Sequence, residues 1–90
     1  MAHAVVLQVK LPEEGRSEEG RRLLLELVVP NAKGQPGFQR GIWMNNGADG
    51  MGVVVFDSED NARAAMANLK PPPGGPTLVS SEVFEVGAEA

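Results

Sequence analysis

Pro36-Gly37-Phe38-Gln39-Arg40-Gly41-Ile42-Trp43-Met44-Asn45 and Met51-Gly52-Val53-Val54-Val55-Phe56 are two extended runs joined by Asn46-Gly47-Ala48-Asp49-Gly50. Asn, Asp and Gly tolerate positive φ, so Asn46-Gly47 and Asp49-Gly50 are turn signals, and the runs fold back on each other as a hairpin. The hairpin holds the only tryptophan, two of the three phenylalanines and the longest β-branched run. Residues 51–56 are apolar throughout and read as a central strand. Residues 38–45 carry Gln39, Arg40 and Asn45 and read as an edge.

Upstream, Ala4 to Lys10 is the first strand, and the succession Val5, Val6, Leu7 predicts burial on both faces. Pro12 to Gly15 ends it. Ser17 is the expected N-cap of a helix, with Glu18 and Glu19 in the first turn, where the helix dipole favours negative charge. Leu23, Leu24, Leu27 and Val28 form its apolar stripe. Pro30 brings no N–H, so the helix is expected to stop or kink near Val29, with a further turn through Lys33 and Gly34 as cap. Downstream, Asp57 or Ser58 caps a second helix, in which Ala62, Ala65, Met66 and Leu69 lie at i, i+3, i+4, i+7. The run Pro71-Pro72-Pro73-Gly74-Gly75-Pro76 forbids its continuation. Thr77 to Val86, half polar, is the last strand and the other edge.

The order β-α-β-β-α-β is the split βαβ, ferredoxin-like arrangement, an α+β fold in one domain spanning residues 1–90. Right-handed crossovers give a four-stranded antiparallel sheet of order 4-1-3-2 with both helices on one face. The two continuously apolar strands are the first and third, which that order places in the middle. The face without helices then exposes residues from the central runs. A patch of that kind needs a partner, and a homodimer through the open sheet face is the economical one.

Composition excludes several chemistries. Cysteine is absent, so disulfides, thiol catalysis and thiolate metal sites are out, in keeping with a reducing, cytoplasmic setting. With a single histidine no metal site is expected. The first residues lack a basic leader and long apolar core, so no signal peptide is expected. No apolar run nears the roughly 20 residues a bilayer span needs, so no membrane partner is expected either. The net charge of −4 argues against nucleic acid.

The chain resembles the dimeric α+β barrel superfamily, and within it the small antibiotic-biosynthesis-monooxygenase-like domains. The resemblance rests on Val28-Val29-Pro30, Pro36-Gly37-Phe38, Gly41-Ile42-Trp43, the run from Gly52 to Ser58, and Ala62, Ala64 and Ala65. It implies a sheet-to-sheet homodimer, a dimeric α+β barrel, with a cleft between helices and sheet in each subunit. The function it implies is a monooxygenase-like small-molecule-binding domain, carrying out cofactor-independent oxygenation of an aromatic phenol or quinol. The alternative is a non-enzymatic dimerisation or ligand-binding module whose cleft is filled by its own side chains. The haem-degrading branch uses an Asn on the first strand with a Trp and a His in the helical region. Here the first strand offers Gln8, and neither helix holds Trp or His. Asp49 to Phe56 also resembles the third-strand motif of RNA-recognition domains. Met51 and Val53 stand where stacking rings are needed, however, and Asp49 where a cation is.

The candidate site residues are Trp43, Asn45 and His3. Trp43 and Asn45 are two apart on one strand and leave the same face, offering a flat aromatic ligand a ring and an amide for its phenol or carbonyl oxygen. Arg40, Ile42 and Met44 take the other face. Trp43 also fits the role of a core or dimer contact, and Asn45 that of a turn residue. His3 has the side chain for proton transfer near neutral pH, or stands exposed and idle at the terminus. Arg40 is a cation for an acidic ligand or a solvated edge charge.

Overall fold

The computed structural model describes residues 2–12, 18–71 and 75–90. Its elements are β1 (His3–Lys10), α1 (Glu18–Leu23), a π-helical turn (Leu24–Val28), α2 (Val29–Lys33), β2 (Phe38–Asn46), β3 (Asp49–Phe56), α3 (Glu59–Met66) and β4 (Thr77–Glu85). All pairings are antiparallel and the strand order is β2-β3-β1-β4, the expected 4-1-3-2 read from the other edge. The ferredoxin-like topology stands.

The register decides what each face carries. Val5 lies opposite Val54, and both are fully buried on the helix-facing side with Phe56. Ala32 from α2, Ala62 and Ala65 from α3, and Leu69 just beyond complete this core. Burial of a Val or Phe side chain contributes roughly 1.5–3 kcal/mol, so this cluster is the main source of stability. Phe38 meets Phe56 edge to face, with ring centroids 6.4 Å apart. Ser58 caps α3 by accepting a hydrogen bond from the Asn61 N–H at 3.1 Å. Ser17, the expected cap of the first helix, lies outside the described residues.

Pro30 does not stop the first helix. The chain widens into a π turn before it, where the Val29 N–H donates to the Leu24 carbonyl five residues back. An α-helical register would crowd the proline ring against the preceding turn and leave a carbonyl without its donor. Widening the turn lets α2 continue to Lys33. Gly34 closes it with φ −79°, its N–H donating to the Pro30 carbonyl at 3.1 Å. The hairpin turn differs in a smaller way. Asn46 pairs with Asp49, so Gly47-Ala48 alone is the loop, with Gly47 at φ +65°, and Asp49-Gly50 lies inside β3. A glycine with positive φ at the first loop position is what a type II′ hairpin turn requires.

The side facing away from the helices is not as bare as the central apolar runs imply. Phe84, Ala4, Val55 and Arg40 form one cross-strand row, and Ala4 and Val55 are buried within it. The chain end closes on the same region: the Val86 N–H donates to the Ala2 carbonyl, and Glu89 lies 3.9 Å from Arg40. The large apolar side chains left about half exposed here are Ile42, Met44, Val79 and Phe84, all from the edge strands.

Ser81 on β4 faces Leu7 across the pairing, and its hydroxyl is buried without a hydrogen-bond partner. A buried hydroxyl without a partner costs about 1–3 kcal/mol. Ser81→Ala is therefore expected to raise the midpoint of thermal unfolding by several degrees. A lower midpoint contradicts this.

Candidate functional site

Contact between the first helical rod and the sheet is concentrated at α2, which packs against β2 with Ala32 fully buried. A small residue at that point lets the rod approach closely. Towards α1 it stands off, and a cavity of about 830 Å³ opens between rod and sheet. Leu24, Leu27 and Val28 line it from the rod, Leu7 and Val9 from β1, and Leu69 from just beyond α3. The predicted leucine stripe thus faces a space rather than a solid core, and Leu27 remains 52 % exposed while lining it.

The sheet wall is built around Trp43 and glycine. Trp43 lies directly opposite Gly52, and Gly41 precedes it on the same face. A Cβ at Gly41 would sit 2.6 Å from the indole Cη2, and one at Gly52 would sit 3.0 Å from Cδ1. The six-membered ring therefore rests over Gly41 and the five-membered ring over Gly52. The indole lies flat on the sheet, where side chains would otherwise stand. Gly50, opposite Asn45, continues the glycine row, but there Val9 and Leu11 take the place of the missing side chain.

Asn45 and Trp43 both line the cavity, and among the described residues neither the Asn45 amide nor the indole N–H has a hydrogen-bond partner. Asn31 also lines it, but its amide is engaged. It donates to the Asn68 carbonyl at 3.0 Å and accepts from Gln35 at 3.3 Å, while Asn68 donates to Gln35 at 3.2 Å. That network ties the end of the first rod to the end of α3. Among the described residues Asn45 is thus the lining amide that makes no hydrogen bond.

The other sequence candidates lie elsewhere. His3 begins β1 beside α3, 3.9 Å from Glu59, whereas the cavity is lined by Leu7 and Val9, about 13 and about 20 Å further along the strand. The Arg63 Nε–H donates to Glu59 Oε2 at 2.9 Å, and this bond, with the guanidinium charge, holds that carboxyl below the ordinary value, with a smaller lowering from His3. Arg40 points to the opposite face and meets Glu89. Trp43 and Asn45 come together; His3 and Arg40 do not join them.

Sequence reasoning missed the glycine strip, the π turn and two cations on the cavity wall, Arg21 and Lys70. The strip had a signal: Gly50 and Gly52 stand two apart on the strand that pairs with Trp43. Among the described residues no group of three or more His, Asp or Glu side chains is placed to hold a metal. The cavity wall contains no His, and the chain no Tyr or Cys, so the wall offers a haem iron no imidazole, phenolate or thiolate. No helix among the described residues is long and apolar enough to cross a membrane.

No family model matches the chain, and no curated protein does. Solved structures do. The chain is similar to SnoaB, a cofactor-independent oxygenase from Streptomyces nogalater, with a TM-score of 0.69 at 15% identity over 98% of this chain and 95% of that one. It is also similar to a haem-degrading protein of Mycobacterium tuberculosis, with a TM-score of 0.63 at 20% identity over 100% and 99%. A Chloroflexus aurantiacus protein assigned to the antibiotic biosynthesis monooxygenases gives 0.61 at 14% identity over 100% and 98%.

The Gly41 contact is open to test. Overpacking of a closed core costs about 1–3 kcal/mol, but here the indole has a cavity to swing into. Gly41→Ala is expected to cost less than about 1 kcal/mol in chemical denaturation while changing the Trp43 emission maximum. An unchanged emission spectrum would mean that the ring does not rest on Gly41. What the chain shares with these solved structures is the ferredoxin-like α+β fold.

Proposed function

We propose that this chain is a small-molecule-binding domain of the monooxygenase-like type, taking a planar aromatic phenol or quinol into the helix–sheet cavity and oxygenating it. The observation that carries the reading is the flat Trp43 indole on the wall of an open cavity, with the unpartnered Asn45 amide beside it. The ring stacks on the ligand face, and the Asn45 amide donates to the ligand's oxygen, favouring its deprotonated, electron-rich form. The substrate supplies the electrons. With anthrone as the test substrate, dioxygen places one atom on the ring methylene carbon to give anthraquinone and leaves the other as water. That balance needs no flavin or metal. Likeness in fold to a cofactor-independent oxygenase supports the reading.

The alternative, a module whose cleft is filled by its own side chains, is disfavoured by the size of the cavity and its half-exposed leucine. Emodin, a three-ring phenol, is the probe. Calorimetry is expected to show Trp43→Phe and Asn45→Ala each weakening emodin binding by at least about fivefold, with the folds intact by circular dichroism. If Trp43→Phe lowers stability and leaves binding intact, Trp43 is packing and the site is misplaced. Binding of anthrone without oxygen uptake would favour a non-enzymatic role.

The active form is proposed to be a homodimer through the sheet face that carries Ile42, Met44 and Val79. Sedimentation at micromolar concentration should give a dimer, with an interface above about 1,000 Å². Monomer alone at that concentration would rule this out.

A further inference from the structure

We infer that the ligand of this cavity carries a carboxylate, recognised by Arg21 and Lys70. The inference rests on the cavity being a ligand site and adds the ligand's charge. The chain holds 12 Asp and Glu against 8 Lys and Arg, yet the charged side chains on the cavity wall are these two cations, with no acid among the described lining residues. Outside the cavity Lys10 is matched with Asp49, Arg40 with Glu89 and Arg63 with Glu59, while Lys33 has no ion pair among the described residues. Among the described residues, Arg21 and Lys70 have no such match.

They also come from separate elements. Arg21 precedes Leu24 by three positions and so shares the cavity-facing side of the rod. Lys70 follows Leu69, whose side chain is anchored in the core, so its backbone position is fixed. The helical lining is mostly apolar, with Leu23, Leu24, Leu27 and Val28 beside Arg21 and Asn31 as its amide. A planar ligand on the indole therefore meets apolar surface along its body and positive charge where that surface ends. A carboxylate there accepts paired N–H bonds from the guanidinium and a further one from the ammonium.

Rhein, an anthraquinone carboxylate, and aloe-emodin, its neutral hydroxymethyl counterpart, separate the two contributions. Exposed ion pairs are worth about two- to fivefold each, so the wild-type protein is expected to bind rhein roughly tenfold more tightly by calorimetry. Arg21→Gln and Lys70→Gln should each shrink that preference, and the double variant should abolish it while still binding aloe-emodin. Lys33→Gln, on the same rod but outside the cavity, should retain it. Equal binding of both probes by the wild-type protein, weakened alike by Trp43→Phe, overturns the carboxylate and leaves the cavity reading standing. A preference that survives in the double variant also overturns it. Binding of neither probe overturns both.

Discussion

The contact on which the site depends is the Trp43 indole laid flat over Gly41 and Gly52. A tryptophan on a half-covered sheet would ordinarily stand up and fill the space beneath a helix. Here the neighbouring positions lack side chains, so the ring lies down and the space stays open. Trp43 thereby serves as floor instead of filler. The same contact explains why the leucines of the rod can face the sheet and remain half-exposed.

The rest of the structure holds that space in place. The π turn carries the rod past Pro30 without a break, so Leu24 to Val28 and Ala32 belong to one body. Ala32, Ala62 and Ala65 pin the helical layer tightly at one end, where Val5, Val54 and Phe56 are fully buried. The amide network of Asn31, Gln35 and Asn68 fixes the rod to α3 at the cavity's side. One end of the layer is closed by packing, and the other stands open over the glycine strip. Polarity follows the same division: the core cluster holds no polar side chain, while the cavity wall carries the Asn45 amide and two cations.

Much of the fold was legible in the residues because single-residue patterns govern it. The apolar successions at Val5-Val6-Leu7 and Val53-Val54-Val55-Phe56 marked the central strands, and turn and cap chemistry at Gly47 and Ser58 marked the boundaries. The pairing of Trp43 with Asn45 on one face followed from strand alternation alone. What stayed hidden depends on where elements meet in space. Pro30 signals a break locally, and only the option of an i→i−5 turn reveals that the helix survives. The glycines of β3 look like turn residues until they are set opposite Trp43. Arg21 and Lys70 are far apart in sequence, and nothing local brings them to one cavity. The open sheet face was overestimated for a similar reason, since the closing of the chain end over Ala4 and Val55 is a tertiary event.

A crystal structure of the protein grown with emodin tests most directly whether the space over Trp43 is a binding cavity. The expected result is the three-ring ligand stacked against the indole, with its oxygen within hydrogen-bond distance of the Asn45 amide and the leucines of the π turn on its other face. A structure in which Leu24 and Leu27 have closed onto Trp43 and the ligand is absent or bound elsewhere would contradict it.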